Sequence, residues 1–62
     1  MKPDARLYAQ GIISNTLYDL GADPTDVQWD ELMAEALRLV ATQHMAPERA
    51  GRYVFQTLYQ ET

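Results

Sequence analysis

The side chains best suited to chemistry in this chain are its single histidine and its carboxylates. His44 and Glu48 are four residues apart, a spacing that could bring two metal ligands to one face of a continuous helix. Pro47 lies between them and is expected to break that helix. A metal site needs three or four ligands, and the chain has no cysteine and no second histidine. We therefore expect no metal site and no cofactor.

The carboxylates and hydroxyls do not indicate catalysis either. Ser14 falls inside a predicted helix, far from any plausible base, and Asp30, Glu31 and Glu35 are expected on a solvated helix face. A small three-helix domain also offers little room for a cleft that excludes water. We therefore expect no catalytic residues and a non-enzymatic function.

One face of the first predicted helix carries residues that suit contact with another protein. Its members are spaced 4, 3 and 4 residues apart, away from the predicted core stripe: Leu7, Gly11, Ser14 and Tyr18. Glycine inside a helix costs about 1 kcal/mol relative to alanine, so we expect a packing reason for it, namely the close approach of another helix. The alternative is that one exposed leucine and one tyrosine are ordinary surface residues.

A second candidate interface lies on the third predicted helix. It combines cationic, aromatic and amide side chains, which are types found in protein interfaces: Arg49, Arg52, Tyr53 and Gln56. The alternative is a solvated face on which Arg49 stacks on Tyr53.

The turn between the first two helices has an alternative interpretation as a helix-turn-helix. The apolar–glycine–apolar spacing of such DNA-binding motifs is loosely matched by Leu17, Leu20, Gly21 and Val27. The helix that would read the bases, however, carries carboxylates, which would face the phosphate backbone. A small DNA-binding regulator thus remains an alternative, and nucleic-acid binding is disfavoured.

A line of carboxylates leaves a further alternative open, in which an acidic surface mimics nucleic acid and blocks a basic protein. The line consists of Asp19, Asp23, Asp26, Asp30, Glu31 and Glu35. The net charge of only −4 weighs against this alternative.

Length and charge restrict the class of protein. Sixty-two residues predict a single domain over residues 1–62, which would bury only about 60% of its unfolded surface. Without cysteines it has no disulfide, and oligomerisation is the remaining simple source of stability. The negative charge disfavours binding to anionic membranes. No apolar run of about 18 residues and no signal-peptide pattern occur, so we expect a small cytoplasmic protein.

Three helical segments predict an all-α, compact three-helix domain. They are expected at about residues 4–20, 24–43 and 47–59. Asp4 and Gly21 are expected to cap the two ends of the first helix. Asp23, followed by Pro24, is expected to open the second helix, and Pro47 begins the third.

The second helix is apolar around most of its circumference, so we expect it to be central and Trp29 on it to be at least partly buried. The predicted core consists of Leu17, Leu20, Leu32, Met33, Ala36, Leu37, Val40, Val54, Phe55 and Leu58. The spare apolar surface predicts a partner. We expect a two-fold homodimer through the first helix or through the edge Val27–Ala34–Ala41, another protein, or both. The predicted function is that of an acidic protein-binding module: an inhibitor, an adaptor or an assembly subunit.

Overall fold

A computed structural model describes residues 5–59, and three helices account for most of them. The helices are α1 (Ala5–Leu20), α2 (Gln28–Gln43) and α3 (Pro47–Val54), and α3 continues into a π-helical turn at Phe55–Tyr59. No strand occurs within residues 5–59, so the predicted all-α three-helix fold is confirmed. Asp4, the predicted cap of α1, lies outside the described residues. In this part of the chain no helix has the length and apolar character needed to cross a membrane.

The short third helix, and not the second as predicted, lies at the centre of the fold. α3 packs against both α1 and α2, whereas α1 and α2 contact each other less. The reason is the small size of the side chains that α3 turns inward, since Ala50 and Gly51 are both buried. A Cβ atom on Gly51 would lie 3.3 Å from the Cβ atom of Thr16 in α1. The absence of that atom therefore lets α3 approach α1 closely.

The core draws on all three helices. Six of the predicted core residues are buried: Leu17, Leu32, Met33, Ala36, Val54 and Phe55. Leu37 and Val40 are partly buried against this cluster. Trp29 also packs against it and is partly buried, as predicted.

α1 ends at Gly21, where the sequence predicted its stop. Gly21 has a positive φ of 105°, and its N–H donates to the carbonyl of Tyr18 at 3.1 Å, while Ala22 N–H donates to the carbonyl of Leu17 at 2.9 Å. These two bonds form a Schellman motif, in which the residue after the glycine packs back on the helix. Ala22 and Leu17 are accordingly both buried in the core. The reversal directly after Leu20 leaves that residue 37% exposed, so its prediction as core was wrong.

α2 begins at Gln28, four residues later than the predicted start at Pro24. The Asp23 carboxylate accepts the N–H of Thr25 at 3.0 Å and its hydroxyl at 2.8 Å, which closes a turn instead of starting the helix. Hydrogen bonds from the N–H and then from the hydroxyl of Thr25 lower the pKa of Asp23 below its ordinary value. The carboxylate of Asp26 accepts the N–H of Gln28 at 3.0 Å. Val27 is the N-cap residue and makes no side-chain cap, so it is Asp26, one residue earlier, whose carboxylate binds the first amide of the helix.

Asp26→Ala is expected to lower the free energy of unfolding by about 0.5–2 kcal/mol, because an amide of the first turn of α2 would lose its acceptor. Urea denaturation followed by circular dichroism measures the change. Asp23→Ala is the matched control. It should lower the free energy of unfolding less, since the Asp23 carboxylate bonds within the turn that precedes the helix. A larger loss for Asp23→Ala would place the cap at Asp23 after all.

A short connection separates α2 from α3. His44 takes a left-handed conformation with φ 53°, and its N–H donates to the carbonyl of Leu39. Ala46 is extended and makes no side-chain cap, and Pro47 is the first residue of α3, as predicted. His44 therefore lies outside both helices, and the continuous helix that would pair it with Glu48 does not form.

The third helical segment reaches Tyr59 as predicted, but its last five residues form a π-helical turn after α-helical structure stops at Val54. The rings of Phe55 and Tyr59 stack in this turn, with centroids 5.1 Å apart. Phe55 is buried, whereas Leu58 is 39% exposed. Leu58 was predicted as core, and this was wrong because the wider turn changes which side chains face inward.

Candidate protein-binding surfaces

The four predicted residues of α1 lie along one side of this helix, which we call the α1 face: Leu7, Gly11, Ser14 and Tyr18. Leu7 is 65% exposed and Tyr18 is 67% exposed. A Cβ atom built on Gly11 would have nothing within 4 Å, and Ser14 is half-buried. The rest of the described chain leaves most of this face uncovered.

The predicted residues of α3 also lie together. Arg49, Arg52, Tyr53 and Gln56 line an open groove of about 510 Å³, together with Ala46 and Glu48. The Arg52 guanidinium lies 3.7 Å from the Glu48 carboxylate, and both side chains are exposed. An exposed ion pair of this kind contributes little to stability. The groove is a polar surface with one half-exposed ring, that of Tyr53.

A third surface, which we call the α1–α2 groove, was not predicted as such. This groove has a volume of about 480 Å³ and lies between the first half of α1 and the second half of α2. Its lining residues are Ala5, Arg6, Ala9, Ala34, Leu37, Arg38, Val40 and Ala41. It forms because small alanine side chains line two helices that contact each other less than either contacts α3. Two of its residues belong to the predicted edge of the second helix; Val27, the third member of that edge, precedes α2 and is 89% exposed.

The arginine on the α2 wall of this groove is held in place by a carboxylate one turn away. Arg38 Nε donates to Glu35 Oε1 at 3.2 Å, and a second guanidinium nitrogen binds Glu35 Oε2. The hydrogen bond from Arg38 lowers the pKa of the Glu35 carboxyl, and the same bond raises the pKa of Arg38. The Arg38 side chain is still 56% exposed. An ion pair with Glu35 therefore lies next to the apolar groove walls.

Charge is segregated along the molecule. No lysine or arginine occurs between Leu7 and Leu37. Five carboxylate residues lie at or near the connection between α1 and α2, and we call them the acidic turn: Asp19, Asp23, Asp26, Asp30 and Glu31. The first half of α1 and the second half of α2 meet in the α1–α2 groove, where Arg6 and Arg38 lie. One end of the antiparallel pair α1 and α2 is thus negative, and the other carries arginines.

Within residues 5–59, no three side chains of the types His, Asp and Glu are close enough together to hold a metal ion. His44 is exposed at the end of α2, and Ser14 is half-buried in α1. Ser14 and His44 therefore lie on different elements, Ser14 within α1 and His44 directly after α2.

Comparisons with protein-family models, with curated proteins and with solved structures gave no significant match to this chain.

Proposed function

We propose that this protein is a small non-enzymatic protein-binding module whose α1–α2 groove receives a helix of another protein. The observation that carries the proposal is the groove itself, which combines alanine-lined walls with Leu37 and Val40. A helix presents an apolar stripe that can be buried in such a groove. Small wall residues let the incoming backbone approach closely. The bound helix would complete a four-helix arrangement, a common architecture among helical proteins.

The charges at the groove favour a partner of defined chemistry. Arg6 and Arg38 both line the groove, so a bound helix gains complementarity if Asp or Glu residues flank its apolar stripe. The partner we propose is therefore an amphipathic helix with acidic margins. An inhibitor, an adaptor or an assembly subunit could act in this way. A cytoplasmic location belongs to the same proposal and is supported by the lack of cysteine.

A photo-crosslinking amino acid in place of Ala34, which is exposed on the groove wall, is expected to form an adduct with another protein in the cells that produce this chain. The same amino acid in place of Gln43, an exposed residue at the end of α2 that lines neither the groove nor the α1 face, is the control and should form none. Gel electrophoresis and mass spectrometry identify the adduct. Equal adducts at both positions, or none at Ala34, would contradict the proposal.

The charge complementarity is checked in the same assay. Arg38→Glu should reduce the Ala34 adduct several-fold, because the groove would then repel an acidic helix. Arg49→Glu makes the same charge change on α3, outside the groove, and should leave the adduct unchanged. An equal reduction by both variants would indicate an effect of net charge instead of groove binding.

The acidic turn supports a second candidate, a surface that mimics nucleic acid and binds a basic protein. Five carboxylates with no lysine or arginine among them would attract such a partner electrostatically. Binding through the acidic turn would weaken sharply as salt rises, whereas binding in the apolar groove would respond little. The same carboxylates weigh against the DNA-binding alternative, which an electrophoretic mobility shift would check.

Self-association also belongs to the proposed protein-binding function. The chain is short and has no disulfide, and the α1 face leaves Leu7 and Tyr18 largely exposed. Burial of such a face against a second copy would add apolar contact area to a small core.

A further inference from the structure

The sulfur atoms of this chain all belong to methionines, because the sequence contains three methionines and no cysteine. Residues 5–59 include two of them, Met33 and Met45. Met33 is 8% exposed and belongs to the core cluster. Met45 packs against the same cluster but is only half-buried, in the connection between α2 and α3. An oxidant dissolved in water therefore reaches Met45 more easily than Met33.

Met45 also anchors the connection in which it lies. Its N–H donates to the carbonyl of Leu39 at 3.4 Å, the same carbonyl that accepts the N–H of His44. His44 has a φ of 53°, a left-handed conformation that a residue with a side chain adopts only at a cost and only where the neighbouring structure holds it. Met45, the next residue, supplies both an apolar contact with the core and a hydrogen bond to α2.

The position of α3 depends on this connection. α3 begins at Pro47, two residues after Met45, and Ala46 between them makes no side-chain cap. α3 in turn packs against both other helices, which contact each other less. A change that releases Met45 from the core would therefore loosen the helix on which the rest of the fold is packed.

We propose that Met45 is an oxidation site through which a hydroperoxide controls the docking of α3. The peroxide transfers its outer oxygen atom to the Met45 sulfur: an S–O bond forms, the O–O bond breaks, and water or an alcohol leaves. The sulfur is oxidised by two electrons, and the peroxide is reduced by the same two. The product is a polar sulfoxide, and burial of its oxygen against apolar side chains is unfavourable. Oxidised Met45 therefore leaves the core, and the connection loses its anchor.

Treatment of the folded chain with dilute hydrogen peroxide tests this proposal, with peptide mass spectrometry to locate each added oxygen atom. Met45 should gain its oxygen several times faster than Met33. Once Met45 is oxidised, the Tm of the chain should fall by about 5 °C or more, because a polar group then replaces an apolar contact in a very small domain. Equal oxidation rates at Met33 and Met45, or an unchanged Tm after oxidation of Met45, would overturn the proposal.

Three variants assign the effect to Met45. Met45→Leu keeps an apolar side chain of similar size, so it should fold and have a Tm that peroxide no longer lowers. Met33→Leu makes the same change in the core and should stay as sensitive to peroxide as the parent chain. Met45→Gln places a polar side chain of similar length in the connection, so its Tm should be low without peroxide. A Met45→Leu chain that peroxide still destabilises, or a Met45→Gln chain as stable as the parent, would contradict the role of Met45.

Discussion

Leu17→Ala is expected to lower the free energy of unfolding by about 2–5 kcal/mol, the range for loss of a buried leucine side chain. Leu17 is fully buried, so the substitution removes contacts and leaves a cavity. A chain of this length is expected to have a total stability of only roughly 3–9 kcal/mol. At the upper end of the cost, much of the variant would be unfolded at 25 °C. Urea denaturation followed by circular dichroism gives the difference.

Leu20→Ala provides the matched control for this measurement, since it makes the same chemical change three residues further along α1. Because Leu20 is 37% exposed, Leu20→Ala should lower the free energy of unfolding much less than Leu17→Ala does. Equal losses for the two variants would mean that Leu20 belongs to the core, as the helical spacing suggested, and that the turn at Gly21 is described incorrectly.

The second large effect is expected at Gly51, where Gly51→Leu should destabilise the protein by about 1–3 kcal/mol or more, as overpacking of a tight contact does. Even the first added carbon would lie 3.3 Å from Thr16 and 3.6 Å from Ile13. The Thr16 hydroxyl is itself bonded to the carbonyl of Ile12 at 2.9 Å, which restricts its retreat. Thermal unfolding at low protein concentration measures the loss.

Gly11→Leu is the control for this substitution, because an added side chain meets open space there. The Gly11→Leu chain should have a free energy of unfolding at least as large as that of the parent chain at the same low concentration, since leucine is the better helix former. If Gly51→Leu were as stable as Gly11→Leu, α3 would not approach α1 as closely as described.

Local sequence signals located the helices, but one start was ambiguous in physical terms. Proline after an aspartate fits the first turn of a helix, and it fits a tight turn equally well. In the fold, Asp26 N–H donates to the carbonyl of Asp23 at 2.9 Å, which closes a turn around Pro24. Both aspartates have the side chain of a cap, and only the path of the chain selects Asp26. No local pattern could have made that choice.

The position of α3 could not be read from hydrophobicity, because its closest contacts use the smallest side chains. Ala50 and Gly51 add little apolar character to the sequence, yet both are buried and bring the backbones together. The second helix is richer in apolar residues, but several of them are alanines that remain exposed, such as Ala34 and Ala41. Apolar content therefore suggested the wrong central helix.

The candidate surfaces also differ in whether the sequence could predict them. The α1 face and the residues of α3 were predictable as sets, because helical spacing alone places Leu7 with Gly11 and Arg49 with Tyr53. The α1–α2 groove was not, since it joins Ala9 to Ala34 across two helices. Its existence depends on how far those helices stand apart, which no single-helix pattern contains.

The central position of α3 has a consequence for the protein during its synthesis. The first two helices leave the ribosome before α3, but they contact each other less than either contacts α3. Ile13 has its close neighbour at Gly51 and cannot be fully covered until that part of the chain has been made. A nascent chain that ends before α3 thus exposes apolar side chains open to aggregation or chaperone binding. The native fold, and any surface that depends on it, forms only once α3 has emerged.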